Sequence, residues 1–354
     1  MSSGHRSDGL VPGPWSRRDT LLLAGLAVCL ALLLTATSTL MYDRLDNRHD
    51  VVRTQLAILE GGPAVFGLDA VYRPSNQNRV LVPLLMSAVA ATGMLTAEQS
   101  YVVVRLASAL TLMGVLTMVL AVLTNATPKT AAVGQLVLAS ALIPTFNYGW
   151  EQPSDLPDAA FMLALAAAAI LHRSWLVAAL MVLSTSNRES AAFGGVIWLC
   201  LYGWQRSRVC WRDVGVAAVL VIVALACTLG LRYALGGARA IGPTTQTVAG
   251  YMPAVGALLG ALRRPSITSW LVLFAAMAGP CLLWLLANAR HVDVVSRRLL
   301  VAAGLITLIS IYFGLVGELR LHIPALSVVV LAAVAVEAGW RPELMARHGA
   351  WAAA

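Results

Sequence analysis

Charge is what this sequence has least of: 12% of its 354 residues are Asp, Glu, Lys or Arg, about half the share in an ordinary soluble domain. With 59% hydrophobic residues and a mean hydropathy of +0.77, a water-soluble fold has no way to hide the apolar surface. Lysine is nearly missing, Lys129 being the only one, so the net charge of +8 is arginine's. Those arginines stand in short clusters between apolar runs, with no basic face or tract. That pattern speaks for topology and gives no ground for a nucleic-acid partner. The five cysteines, Cys29, Cys200, Cys210, Cys227 and Cys281, include no C-x-x-C pair, so neither a disulfide framework nor a metal site follows. There is no H-E-x-x-H, no G-x-S-x-G, no Walker A lysine and no glycine-rich dinucleotide turn, which removes the usual support for soluble enzyme classes.

What is present is a succession of apolar runs, many near the roughly 20 residues that cross a hydrocarbon core of about 30 Å. The expected fold is all-α: a polytopic membrane bundle of about ten transmembrane helices with an outer juxtamembrane or re-entrant helix. The predicted spans are 20–41, 102–124, 131–149, 159–171, 174–186, 190–204, 214–235, 268–289, 299–316 and 323–340. Residues 1–19 and 341–354 read as cytoplasmic tails flanking a membrane domain over 20–340, with the first outer loop at 42–79. The first run follows Arg17 and Arg18 but is too long for a signal-peptide core, so it reads as a retained span.

Orientation follows from the connections. With the N-terminus inside, every short inner connection carries a cation: Lys129, Arg173, the three arginines of 205–212, the three of 290–298, and the tail with Arg341 and Arg347. This register requires that Val80 to Leu95, 16 apolar residues broken by Pro83 and Gly93, does not cross. On this topology eleven of the 17 acids fall on the outer face or its boundary, and chemistry that needs carboxylates is expected there.

Several outer segments carry candidate residues. The run Tyr42 to Asp50 holds Asp43, Asp46 and Asp50 among three cations. It reads either as a salt-bridged juxtamembrane turn or as a general base with arginines that grip a lipid-linked phosphate. Arg73 and Arg79 flank Pro74 and three amides, and the guanidinium fork matches phosphate oxygens; anchoring to anionic lipid is the alternative. After the third span, Tyr148 and Trp150 read as interfacial aromatics, while Asp155 and Asp158 open the next span at helical spacing. Asp158 serves equally as an acid at a helix N-terminus. Arg188, beside Glu189, interrupts an apolar stretch and must lie near the surface or face a polar interior, paired with Glu189 or an acid of another loop. Glu318 and Arg320 stand in the last outer turn, where they either pair with each other or serve a ligand; His322 beside them reads as interfacial rather than as a ligand.

Together these features resemble the GT-C superfamily of polytopic glycosyltransferases, which includes the protein O-mannosyltransferases, the lipid A aminoarabinose transferases and the oligosaccharyltransferase catalytic subunits. His49-Asp50, the stretch Val51 to Leu59 and Glu60-Gly61 resemble the family's first-loop acid, helix and closing glycine. Val82-Pro83-Leu84 is similar to the start of its juxtamembrane helix, Arg105-Leu106-Ala107-Ser108-Ala109-Leu110 to the opening of its second span, and Glu318-Leu319-Arg320 with Pro324 to its late outer turn. The resemblance implies inverting transfer of a hexose or pentose from a polyprenyl-phosphate donor to an extracytoplasmic acceptor at a bacterial inner membrane. Asp50 is then the base, with Asp43 and Asp46 as alternatives, and Asp155 positions a substrate. Arg73, Arg79, Arg188 and Arg320 contact phosphate, and Asp158, Glu189 and Glu318 complete the binding set. No cofactor is assigned; a divalent metal is left open, and so is a protein partner. The rival expectations are a lipid or solute transporter or flippase, and a non-catalytic subunit of a membrane complex.

Overall fold

An apolar run satisfies its backbone hydrogen bonds within itself only as a helix, and the described part of each predicted span is largely helical in the computed structural model. It describes residues 15–44, 52, 79–146, 154–205, 208–236, 266–313 and 322–341. Among these stand α1 (Arg17–Arg44), α2 (Leu81–Ala90), α3 (Ala97–Leu123), α4 (Pro128–Phe146), α5 (Asp155–Ile170) and α6 (Ser174–Thr185). A short 3-10 turn (Glu189–Ala192) leads into α7 (Phe193–Tyr202). A two-residue hairpin, Trp204 against Val209 and Gln205 against Arg208, then precedes α8 (Trp211–Gly236), followed by α9 (Ser266–Ala287), α10 (Val294–Phe313) and α11 (Ile323–Ala338).

Three of these helices, α1, α3 and α8, are long and apolar enough to cross a membrane. At 1.5 Å per residue they reach about 40 Å, and large apolar side chains such as Leu22, Leu32, Met118, Ile222 and Leu229 lie exposed along them. Helices α6 and α7 have 12 and 10 residues, about 18 and 15 Å, and neither crosses on its own. Helices α5 and α11 are buried nearly all round and form the centre of the bundle.

One end of the bundle is basic. Trp15 Nε1 donates to the carbonyl of Ala126 at 2.8 Å, and Asn125 and Arg341 exchange backbone bonds with Gly339 and Leu123. Trp340 Nε1 donates to Asp293 and Ser296, Arg298 to the carbonyls of Leu201 and Trp204, and the Tyr202 hydroxyl to Ala169. His172 stacks on Trp198, meets Tyr202 edge-on, and lies 3.9 Å from Asp213. The connections that carry Lys129, Arg173, Arg208, Arg212, Arg290, Arg297, Arg298 and Arg341 thus gather at one end.

Because Trp15 and Ala126 meet there, α1 and α3 run in opposite directions. Helix α2 is the short partner of α3, with Val82 and Met86 packed with Tyr101, Val104 and Val52. Gly93, at φ +72°, turns between the two helices, and the next helix opens on a capping box: the Thr96 hydroxyl accepts from Gln99 N and Gln99 Oε1 from Thr96 N.

The pairing of α7 with α8 fixes where the short helices end. A Cβ on Gly195 would stand 2.6 Å from Val221 Cγ2 and 3.0 Å from the Ala217 carbonyl, so the helices touch backbone to backbone there. Gly195→Leu is therefore expected to force them apart, with a cost of about 1–3 kcal/mol. A lowered melting temperature of the purified chain checks this, and unchanged melting would refute so close an approach. With Gly195 level with Ala217 and Val221, the turn between α6 and α7 faces the later part of α8, and α8 runs on past it to Gly236.

Candidate functional site

Four chain segments remote in sequence meet at the end opposite the basic loops. The start of α2 is tied to the α6–α7 turn by a backbone bond from Leu81 N to the Ser186 carbonyl, 2.9 Å. That turn is tied to the start of α5, where Asn187 Nδ2 donates to the Ser154 carbonyl at 2.9 Å. Helix α5 is buried from its first residue, so Asp155 and Asp158, on adjacent turns of one face, enter the bundle with no access to water. A buried carboxylate needs a partner, and Arg188 supplies it: Nη1 stands 2.7 Å from Asp155 Oδ1 and 3.5 Å from Asp158 Oδ2. The Ser190 hydroxyl donates to the other Asp158 oxygen.

Glu189, the next residue, faces away from this pair. Arg79 Nη2 lies 3.3 Å from its Oε2, and Arg232, from the last turns of α8, donates to its Oε1. Burial alone would raise the Glu189 pKa, but the Arg79 and Arg232 guanidinium groups hold it down at about 2, so it is charged throughout the ordinary pH range. Among the described residues, three acids and three arginines therefore come together here.

The cluster is divided by access to water. The side chains of Asp155 and Asp158 are fully buried and that of Arg188 is 5% exposed, whereas Arg79, Glu189 and Arg232 are 15%, 30% and 20% exposed. The sealed half locks α5 to the α6–α7 turn. The open half has three ionised groups within reach of solvent or of a ligand's charged head.

Of the predicted site residues, Arg79, Asp155, Asp158, Arg188 and Glu189 come together here. The sequence left two partners open for Arg188, and the structure pairs it with acids of another segment, Asp155 and Asp158. Asp50, Arg73, Glu318 and Arg320 lie outside the described residues, as does Asp46; α1 extends through Asp43. His322, expected at the interface, is buried next to the start of α11, and burial pushes its pKa down to about 4, so it is neutral at ordinary pH. Arg105 is buried on α3. Two partners were missed by the sequence reading. Arg232 ends an otherwise apolar run and its only signal was being a lone cation there; Ser190 had none. Among the described residues no group of His, Cys, Asp and Glu is placed to hold a metal ion. No family model, no curated protein and no solved structure matches the chain.

Proposed function

We propose that this chain is a membrane glycosyltransferase of the GT-C kind, which moves a sugar from a polyprenyl-phosphate donor to an acceptor at the membrane face where the acid and arginine cluster lies. The observation that carries the reading is convergence. Arg79, Asp155, Asp158, Arg188 and Glu189, nominated from three separate stretches, meet at one end of a helical bundle, and the described connections with Lys129, Arg173, Arg212 and Arg298 lie at the other. Charged groups are costly within an apolar bundle and are retained where they serve a site.

The chemistry asks for two things. The acceptor hydroxyl must lose its proton as its oxygen bonds to the anomeric carbon, a step assigned to the Asp50 carboxylate as general base. The bond from the anomeric carbon to the phosphate oxygen breaks, and the departing polyprenyl phosphate keeps the electron pair. That oxygen needs positive charge beside it as the bond opens, which guanidinium groups at the open half of the cluster supply. Asp155, locked to Arg188, positions the turn that presents these groups rather than meeting the substrate itself.

Purified chain incubated with a panel of polyprenyl-phosphate sugars and a lipid or peptide acceptor is expected to release polyprenyl phosphate from at least one donor. Uptake or counterflow in proteoliposomes with no release from any donor would replace this reading with transport.

A further inference from the structure

At the basic end two connections are fastened into one rim. His172 Nε2 lies 3.9 Å from Asp213 Oδ1, which brings the corner between α5 and α6 to the first turn of α8. Cys210 N donates to the Gly203 carbonyl at 2.9 Å and closes the hairpin between α7 and α8, while Arg298 Nη2 holds the Trp204 carbonyl at 2.7 Å from α10. On this rim stand Arg173, Arg208 and Arg212, all exposed, and among the described residues no hydrogen bond or ion pair engages their side chains. Asp213, the acid beside them, is buried, accepts from the Cys210 thiol and faces His172. Each arginine has an exposed tryptophan as neighbour: Trp175 follows Arg173 by two residues, Trp204 pairs across the hairpin with Val209, next to Arg208, and Trp211 precedes Arg212. Trp175, Trp204 and Trp211 are 67%, 58% and 77% exposed, whereas Trp15, Trp198, Trp284 and Trp340 are all at least partly buried.

We propose that this rim is a seat for an anionic phospholipid of the leaflet on the basic side, with Arg173, Arg208 and Arg212 around its phosphate and the three tryptophans against its glycerol and upper acyl chains. The depth is right for it. Trp211 opens an apolar helix of 24 residues, long enough to cross a membrane, so the rim lies where hydrocarbon gives way to headgroups. An exposed indole prefers that boundary, having an apolar body and one N–H for the wet side. Guanidinium forks match phosphate oxygens, and basic clusters next to a spanning helix attract anionic lipid. A zwitterionic lipid brings its own ammonium group and gains less from three cations. Arg17, Arg18 and Lys129 stand exposed at the same end in a different setting: the tryptophan beside them, Trp15, is turned inward to the Ala126 carbonyl. The seat does not depend on the glycosyltransferase reading, which concerns the opposite end of the bundle.

Native mass spectrometry of the full-length chain in a non-ionic detergent, titrated with phosphatidylglycerol and separately with phosphatidylcholine, tests the seat. One basic residue near an anionic surface is worth about fivefold in affinity, so the first phosphatidylglycerol is expected to bind at least about tenfold more tightly than phosphatidylcholine. Equal binding of the two lipids overturns the proposal. The triple variant Arg173→Gln, Arg208→Gln, Arg212→Gln is expected to lose that preference, at a cost of at least about tenfold in phosphatidylglycerol affinity. The triple variant Arg17→Gln, Arg18→Gln, Lys129→Gln removes as much charge from the same end and is expected to cost less than about threefold. A loss from the second triple as large as from the first overturns the seat and leaves only the general attraction of a basic face. All six side chains are exposed, so both variants are expected to melt as the native chain does. Should the first fail to fold, Arg208→Gln alone carries the test: it is expected to weaken phosphatidylglycerol binding about fivefold, and native affinity would count against the seat. Because the titration contains no sugar donor, its outcome is independent of the transfer assay.

Discussion

Replacing Arg188 with methionine is expected to remove about 3–5 kcal/mol of stability, the cost of leaving buried charge without its partner. Two carboxylates pair with this guanidinium, Asp155 at 2.7 Å and Asp158 at 3.5 Å, both without access to water. With Arg188 gone they face each other in an apolar interior, and folding has to protonate or expose at least one. Since Asn187 ties the same turn to Ser154, the loss loosens the start of α5, the turn, and the first residues of α2 together. Thermal melting in one detergent checks the size of the effect. The cause is separated from lost packing by the triple variant Arg188→Met, Asp155→Asn, Asp158→Asn, which removes all three charges at similar volume and is expected to recover most of the stability. If the single variant melts like the native chain, or the triple variant recovers nothing, the cluster is not what holds this end of the bundle together.

The sequence made the helices readable because an apolar run in a lipid environment has few alternatives. The described part of each of the ten predicted spans is largely helical, three of the helices being long and apolar enough to cross a membrane: 102–124 begins earlier, at Ala97, because Thr96 and Gln99 build a cap, and 131–149 is helical from Pro128 to Phe146. The run Val80 to Leu95 was read as non-crossing from arginine placement, and its helical part, Leu81–Ala90, has ten residues. The meeting of Asp155 and Asp158 with Arg188 was left open by the sequence, which allowed a place near the surface, Glu189 or an acid of another loop, and the structure gives the last of these. Charges in apolar stretches are so few that those forced to be buried must find each other.

What could not be read was length in three dimensions. The segments 174–186 and 190–204 look like two spans and a tight turn, but the helical parts are 12 and 10 residues, so the turn with Arg188 lies within reach of α8 before α8 ends. Only that offset lets Arg232 reach back to Glu189. Nothing in a one-dimensional pattern sets the relative heights of neighbouring helices. Those depend on close contacts such as Gly195 on Ala217, which look in sequence like any other glycine in an apolar run.

The division of the cluster tells which substitution should act on chemistry alone. On the proposed function, changes at Asp155, Asp158 or Arg188 are expected to mix stability with activity, and changes at the more exposed Arg79, Glu189 or Arg232 to act less on stability. Asp50, the base of the proposed mechanism, lies outside the described residues. Asp50→Asn is expected to leave melting and polyprenyl-phosphate binding as in the native chain while lowering sugar transfer about 10²–10⁴-fold, the usual worth of a general base. The loss should fall on kcat with KM for the donor little changed, because in the proposed mechanism the carboxylate acts on the acceptor's proton and not on the phosphate. It should also be partly recovered at higher pH, where more of the acceptor is deprotonated without help. Full transfer by a folded Asp50→Asn would take the base away from this residue. In that event Asp43→Asn and Asp46→Asn, measured in the same way, decide whether another acid of the first loop holds the role or the mechanism itself is wrong.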